Sequence, residues 1–418
     1  MRRAWLSLGI WMVGMAVVSA GQAPPAEADW PGWRGPNRDG KSPDKGLLKE
    51  WPQQGPPLLW KVTDIGNGYS GVAVAGGTVY ITGNDGGKLM LFALDMQGKE
   101  KWKVPVDNAW SGDHPGARAT PTIDGANLYL ESDAGLVVCL DAKTGRRKWA
   151  KSLTRDFGGS TPGWAYAESV LIYKTLAIVK PGGKNCIVAL EKATGATRWM
   201  SKGFEGGAEY GSCIGVQYKG EHLIIAGTHS GLVCVNARSG LVQWSNPFST
   251  GNTANCPTPA FEDGYVFWAN GYRKGGICMK MDVAGGRVTA REAWTTRDMV
   301  CHHGGYIIHE GYIYGNHEVG FACLDLKTGK KMWYAQDKDV GKGSLCWADD
   351  MLYLYGENGG QVALATCSPQ GMAMKSQFRV QGQGTSWAHP VVIGGRLYIR
   401  YDTNLYCYNV KAQAGAKE

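Results

Sequence analysis

Cys139-Leu140-Asp141-Ala142-Lys143-Thr144-Gly145-Arg146-Arg147-Lys148-Trp149 decides the fold, because it recurs along the chain. Ala189-Leu190-Glu191 with Thr194-Gly195 and Trp199, Cys234-Val235-Asn236 with Ser239-Gly240 and Trp244, and Cys323-Leu324-Asp325 with Thr328-Gly329 and Trp333 keep the same eight-residue step from acid or amide to tryptophan. Looser copies run from Ala93-Leu94-Asp95 to Trp102, one residue shorter, and from Met281-Asp282 to Trp294, with four residues inserted. A seventh keeps Ala363-Leu364 and continues to Phe378 in place of the tryptophan. The chemistry of this signature is structural. The Asp or Asn side chain caps the turn, glycine supplies the positive φ needed to leave it, and the large indole on the following strand fills the wedge between neighbouring sheets.

Upstream of each copy lies a weaker pattern, a short alternating run, a Gly- or Asp-containing turn and an aromatic strand. Thr120-Pro121-Thr122-Ile123-Asp124-Gly125 before Leu128-Tyr129-Leu130 is one case, and Val391-Val392-Ile393-Gly394-Gly395 before Leu397-Tyr398-Ile399 another. Others end in Val79-Tyr80-Ile81, Val266-Phe267-Trp268, Ile313-Tyr314 and Leu352-Tyr353-Leu354. Each unit thus holds four strands joined by tight turns, and four-stranded units of about 40–50 residues repeated around a ring are β-propeller blades. The last unit, from Trp387 to Asn409, has only three strands, whereas Leu58-Leu59-Trp60-Lys61-Val62 reads as an isolated fourth strand ahead of the first complete unit. Pairing the two closes the ring and removes its exposed edges. The expectation is an all-β, eight-bladed propeller over residues 58–410; seven blades with one divergent unit outside the ring is the alternative count.

Composition agrees with a large packed β domain. The 418 residues include 61 glycines, 17 tryptophans and 19 tyrosines with only 19 % charged residues, which excludes disorder for most of the chain. Net charge is +8, or +6 without Arg2 and Arg3, and the densest basic run, Arg146-Arg147-Lys148, belongs to a repeat turn. No basic cluster tracks a phosphate backbone, so nucleic acid is not an expected partner. Residues 1–20 read as a signal peptide: a charged Met1-Arg2-Arg3, an apolar stretch 4–17, and Val18-Ser19-Ala20 as the cleavage site. An uncleaved anchor is the alternative. No later stretch approaches the roughly 18 apolar residues of a spanning helix. An exported protein, periplasmic or secreted and cleaved near Ala20, is expected, not an integral membrane protein. No cysteine precedes Cys139, so a lipoprotein anchor is not expected. Residues 21–57 read as an aromatic, Pro-rich arm packing on the propeller, with 21–28 and the tail 411–418 disordered. The eleven cysteines are odd in number, and Cys139, Cys234, Cys323 and Cys407 share one register of the repeat, so they read as small buried apolar residues.

The repeat resembles the tryptophan-docking motif of the quinoprotein superfamily, which includes the pyrroloquinoline quinone (PQQ) alcohol dehydrogenases and the BamB family, both eight-bladed. The resemblance covers about residues 58–410 and is specific for fold, not function. Trp30-Pro31-Gly32-Trp33-Arg34-Gly35-Pro36-Asn37, Cys301-His302-His303-Gly304-Gly305, Gly341-Lys342-Gly343-Ser344-Leu345 and Ser386-Trp387-Ala388-His389-Pro390 resemble exported PQQ-binding-like β-propeller repeat proteins. The dehydrogenases characteristically carry adjacent cysteines, longer insertions and a calcium ion held by Glu, Asn and Asp. This sequence has no Cys-Cys pair, no matching acidic set and no Cys-x-x-Cys-His for haem. It differs from BamB in lacking the lipid-anchor cysteine and in its extra arm.

In a propeller the residues just before each inner strand ring the channel mouth. That position reads Tyr69-Ser70, Arg118-Ala119, Tyr166 with Glu168, Glu209-Tyr210, Asn255-Cys256, His302-His303, Lys342-Gly343 and Trp387 with His389. Tyr69, Arg118, Tyr166, Glu168, Tyr210, Asn255, His302, His303, Lys342, Trp387 and His389 are the candidate ligand-binding residues, forming a polar and aromatic funnel. The competing reading is that they satisfy one another and channel water. Adjacent residues on a strand point to opposite sides, so at most one of His302 and His303 faces the channel, and no metal site is expected. His114 and His389 are both mouth-adjacent and could converge. Asp113-His114 has the form of an acid/base pair, while Asp349-Asp350 reads as a solvated turn. No Gly-x-Ser-x-Gly or His-Glu-x-x-His motif occurs. The function expected is a non-catalytic binding or scaffolding module of the cell envelope, monomeric, without a cofactor, holding an envelope protein or a small polar or glycan ligand at the mouth. The alternatives are a PQQ-dependent oxidoreductase with calcium, acting on alcohols or sugars, and a carbohydrate-binding or carbohydrate-active propeller using Tyr69, Trp164, Tyr166, Tyr210 and Trp387.

Overall fold

The computed structural model describes Met1 and residues 29–251 and 253–412. The leader beyond Met1, the stretch 21–28 and the tail from 413 lie outside the described residues. Among the described residues, thirty-two strands form eight four-stranded antiparallel sheets, with one short helix, Leu153–Phe157. Seven blades are continuous in sequence, at 73–108, 122–152, 171–200, 214–246, 260–296, 306–336 and 343–379. The eighth joins 391–409 to the strand Leu58–Val62, with Trp60 opposite Cys407 and Val62 opposite Leu405. The first strands of neighbouring blades lie against one another from the first blade to the fourth and from the fifth to the eighth, so these strands line the axis.

A chain of hydrogen bonds stitches the inner strands together. Gly71 N donates to Thr120 Oγ1 at 3.1 Å, Thr120 N to Ser169 Oγ at 3.0 Å, Ser169 N to Ser212 Oγ at 3.0 Å and Ser212 N to Thr258 Oγ1 at 3.3 Å. Each hydroxyl satisfies a backbone N–H of the preceding blade, which a buried donor requires.

The signature works as its chemistry implies, at the face opposite the mouth. Asp141 Oδ1 accepts from the backbone N–H groups of Lys143 and Thr144 and from the Thr144 hydroxyl, and Asn236 and Asp325 do the same in their turns. The tryptophan docks on the next blade. Trp149 Nε1 donates to Lys192 O at 3.1 Å, Trp199 to Ala237 O at 3.0 Å and Trp294 to Leu326 O at 3.0 Å. The glycine beneath carries a second constraint besides its φ of 73°, since a Cβ on Gly195 would meet the Trp149 ring at 2.8 Å. The core therefore sits between sheets, as where Tyr129 and Cys139 of the second blade pack with Val179 and Leu190 of the third. The eleven cysteines are all free, and Cys139, Cys234, Cys323 and Cys407 are fully buried there.

Residues 29–57 cross the channel before forming the closing strand. Trp30 pairs with Val74 of the first blade, and Pro31 O accepts from Ile123 N of the second at 2.7 Å. Trp33 Nε1 donates to Thr258 Oγ1 of the fifth blade at 3.0 Å, and its ring lies 4.6 Å from His389 of the eighth. Arg34 donates to Tyr306 O of the sixth and Arg38 to Ser169 O beside the third. The segment then pairs Lys41 with Trp347 of the seventh blade and buries Trp51 against Tyr353 and Phe378.

Two expectations are corrected by these contacts. Asp349 is no solvated turn: it is 9 % exposed, accepts from Leu47 N at 2.9 Å and pairs with Lys49 at 2.9 Å, anchoring the arm, while Asp350 stays exposed. Lys411 and Ala412, expected in the tail, pair through their backbones with Leu47 and Gly46 of the arm.

Candidate functional site

Each blade runs its inner strand away from the mouth and its second strand back. The mouth is therefore built by the loops before the inner strands and by those joining second to third strands. A cavity of about 340 Å³ opens there. Six of the sequence-predicted residues line it: Tyr69, Arg118, Tyr210, His302, His303 and Trp387. His114, Trp164, Cys256 and Tyr272 complete much of the wall.

The lining is a set of touching rings. Trp387 lies 4.8 Å from Tyr69, 5.1 Å from His114 and 5.7 Å from His303; Trp164 lies 5.9 Å from Tyr210, and Tyr272 4.9 Å from His302. The one cation among the lining residues, Arg118, sits 5.9 Å from the Tyr69 ring and donates to Gly116 O at 2.7 Å and His114 O at 2.6 Å. These carbonyls fix the guanidinium's plane without neutralising it. Its nearest carboxylate, Asp133, is 4.0 Å away and has its pKa pushed up to about 6 by burial, against the pull of Arg118.

His302 and His303 do not alternate across a strand as expected. They lie in a bend ahead of the strand Tyr306–His309, which frees the two side chains from opposite faces and brings their Nδ1 atoms within 3.5 Å. Burial, helped by Lys342, lowers the pKa of His302 to about 4, and burial beside His302 takes that of His303 well below its ordinary value, so both are neutral at pH 7. Lys342 reaches the rim, with Nζ 2.9 Å from His302 Nδ1 and 3.1 Å from Glu357 Oε2. Trp387 Nε1 donates to Glu357 Oε1 at 3.0 Å.

Four expected residues turn away from the cavity. In Tyr166-Ala167-Glu168 it is Ala167 that lines the wall, and in Asn255-Cys256 it is Cys256, because side chains in extended backbone alternate. Tyr166 instead donates to Pro181 O at 2.9 Å. Glu168 accepts from Cys213 N at 2.7 Å, within a buried group of charges that includes Glu131, Lys180 and Arg38. There burial, then Glu168, raises the pKa of Glu131. Asn255 accepts from Thr250 N at 3.1 Å, and its own N–H donates to Glu209. His389 lies deeper, between Trp33 and the carbonyl of His303, so it does not converge with His114. Burial holds it neutral, with a pKa of about 3. Sequence reasoning missed Tyr272 and Glu357. Both stand in or beside loops that follow second strands, and the topology of a blade puts those loops on the same face.

A family model described as outer membrane protein assembly factor BamB matches residues 52–200 and 90–335. No curated protein matches the chain. Among solved structures, BamB from Moraxella catarrhalis superposes with a TM-score of 0.62 at 17 % identity, covering 84 % of this chain and 99 % of that one. Quinohemoprotein alcohol dehydrogenase from Comamonas testosteroni gives 0.67 at 13 % identity, covering 93 % and 82 %. A europium-containing methanol dehydrogenase gives 0.54 at 12 % identity, covering 89 % of each chain. At these identities the likeness is one of fold.

The lining does not fit a quinone held on calcium. Calcium takes six to eight oxygen ligands, and among the described residues lining the cavity there is no Asp, Glu, Asn or Gln side chain. The nearby carboxylate of Glu357 supplies at most two of those oxygens.

Proposed function

The chain belongs to the PQQ-like β-propeller family described as outer membrane protein assembly factor BamB, and from that footing we propose that it is an exported, non-catalytic binding module of the cell envelope that captures its partner at the channel mouth. One observation carries the reading. Residues 29–41 cross the axis and bond to blades on all sides, while the mouth above keeps a cavity of about 340 Å³ walled by Tyr69, Trp164, Tyr210, Tyr272 and Trp387. A pocket of touching aromatic rings with one fixed cation suits an aromatic or sugar face carrying a negative or hydrogen-bond-accepting group. An extended segment of an envelope protein or a glycan supplies both.

The test is a photo-crosslinking residue placed in living cells at Tyr272, which is 51 % exposed at the rim, and in a control at Lys143 on the opposite face. Discrete adducts with exported proteins or glycans from the rim alone support the proposal. Equal labelling from both faces, or reduction of an electron-accepting dye by the purified protein given PQQ, calcium and an alcohol, would overturn it.

A further inference from the structure

We propose that His302, His303 and Glu357 form a binding site for one divalent transition metal ion, zinc(II) foremost, at the rim of the channel mouth. The three side chains each offer one ligand atom, and these atoms lie within 4.8 Å of one another. The two imidazole Nδ1 atoms are 3.5 Å apart. Two nitrogens bound at about 2.05 Å in tetrahedral geometry stand about 3.3 Å apart, so the pair is already spaced as zinc ligands are. Two imidazoles and one carboxylate leave a fourth position for water, the composition of an open zinc site. The donors are nitrogen-rich, which favours zinc, copper or nickel over calcium or magnesium.

Two of the three ligands also have the outer partners such a site needs, His303 Nε2 alone being buried without one. His302 Nε2 is 3.0 Å from the Tyr272 hydroxyl, and Glu357 Oε1 accepts from Trp387 Nε1 at 3.0 Å. These contacts hold the Nδ1 atom of His302 and the second carboxylate oxygen toward the shared point. That point already attracts a cation. Lys342 Nζ stands within hydrogen-bonding distance of both His302 Nδ1 and Glu357 Oε2. Its side chain is 28 % exposed on a flexible stem, so an arriving metal ion can displace the ammonium into solvent. Lys342 is therefore a built-in competitor. This site does not depend on which partner the aromatic cavity captures.

The experiment titrates cobalt(II) and zinc(II) into the purified chain carrying no histidine tag. The expected result is one equivalent of cobalt with the intense visible bands of a tetrahedral ion, displaced by zinc, together with a saturable rise in Tm. Glu357→Gln, nearly isosteric, should weaken binding at least tenfold, about the effect of losing a ligand or its support. Lys342→Met should tighten it by about tenfold, since an ammonium no longer competes. Binding unchanged in Glu357→Gln and in a His302→Ala/His303→Ala double variant would place the metal elsewhere and overturn the proposal. So would the absence of tetrahedral bands and of any Tm shift in both the wild type and Lys342→Met.

Discussion

Arg400 of the last blade donates to the hydroxyl of Ser70, on the loop leading into the first, at 2.7 Å. The same guanidinium donates to Thr82 O at 2.6 Å, Gly66 O at 2.8 Å and Asp402 O at 3.0 Å, so a single side chain rivets the seam where the ring closes. Burial pushes its pKa down to about 9, which still leaves it charged at pH 7.

Replacing that rivet should open the seam. A lysine cannot reproduce the planar fork, and at least two buried carbonyls lose their donor, at about 1–3 kcal/mol each. Arg400→Lys is expected to lower stability by about 3 kcal/mol, read as a drop in the denaturation midpoint. An unchanged midpoint would show that strand pairing alone closes the ring.

Tryptophan docking makes a contrast between two glycines. Gly195 has φ 73° and lies 2.8 Å, at its would-be Cβ, from the Trp149 indole, whereas Gly394 has φ 62° with nothing within 4 Å. Gly394→Ala should cost only the left-handed backbone penalty of about 1–2 kcal/mol. Gly195→Ala should cost about 2 kcal/mol more, because the indole has to move off its carbonyl partner. Equal losses in thermal unfolding would refute the close approach as the reason for glycine.

The channel-crossing arm should be a structural necessity. Trp33→Ala removes both the ring packed on His389 and the hydrogen bond to Thr258, and is expected to destabilise by about 3 kcal/mol. Trp33→Phe keeps the ring and should lose only about 1 kcal/mol. If the two variants unfold at the same temperature, the packing contact carries no stability.

Asp133 should leave a mark on the pH dependence of stability. Its folded pKa of about 6 stands above the ordinary aspartate value of about 3.9. Between those values the folded chain holds a proton that the unfolded chain has released, so Asp133 makes stability fall as pH rises across the window, by on the order of 2 kcal/mol. Above pH 6 the loss is complete. Asp133→Asn should flatten the Tm profile between pH 4 and 6 relative to wild type; a slope identical to wild type would locate the titration in another group.

The ring was legible in the sequence because its determinants are local and repeated. Asp141, Gly145 and Trp149 act within one turn and one neighbouring strand, and the same contacts return at Asp325, Gly329 and Trp333. The closing strand was legible too, from a three-stranded last unit and an unpaired Leu58–Val62. Part of the mouth follows from register, which alone places Tyr69, Arg118, Tyr210 and Trp387 there. Register failed where the backbone left the strand pattern, at His302-His303, and where alternation chose Ala167 over Tyr166 and Glu168.

The sequence by itself determined the blade and the blade count, which rest on contacts between residues close in the repeat, and the way the ring shuts, which follows from an incomplete last unit and the spare strand Leu58–Val62. Only the tertiary structure decided that the Trp33 arm spans the axis and that Asp349 is its anchor. It also decided that Glu357, from the seventh blade, meets the histidines of the sixth. Those contacts join residues far apart in the chain, some by more than two hundred positions, and no local propensity or repeat period encodes them; they exist because closing a ring brings every blade to one axis.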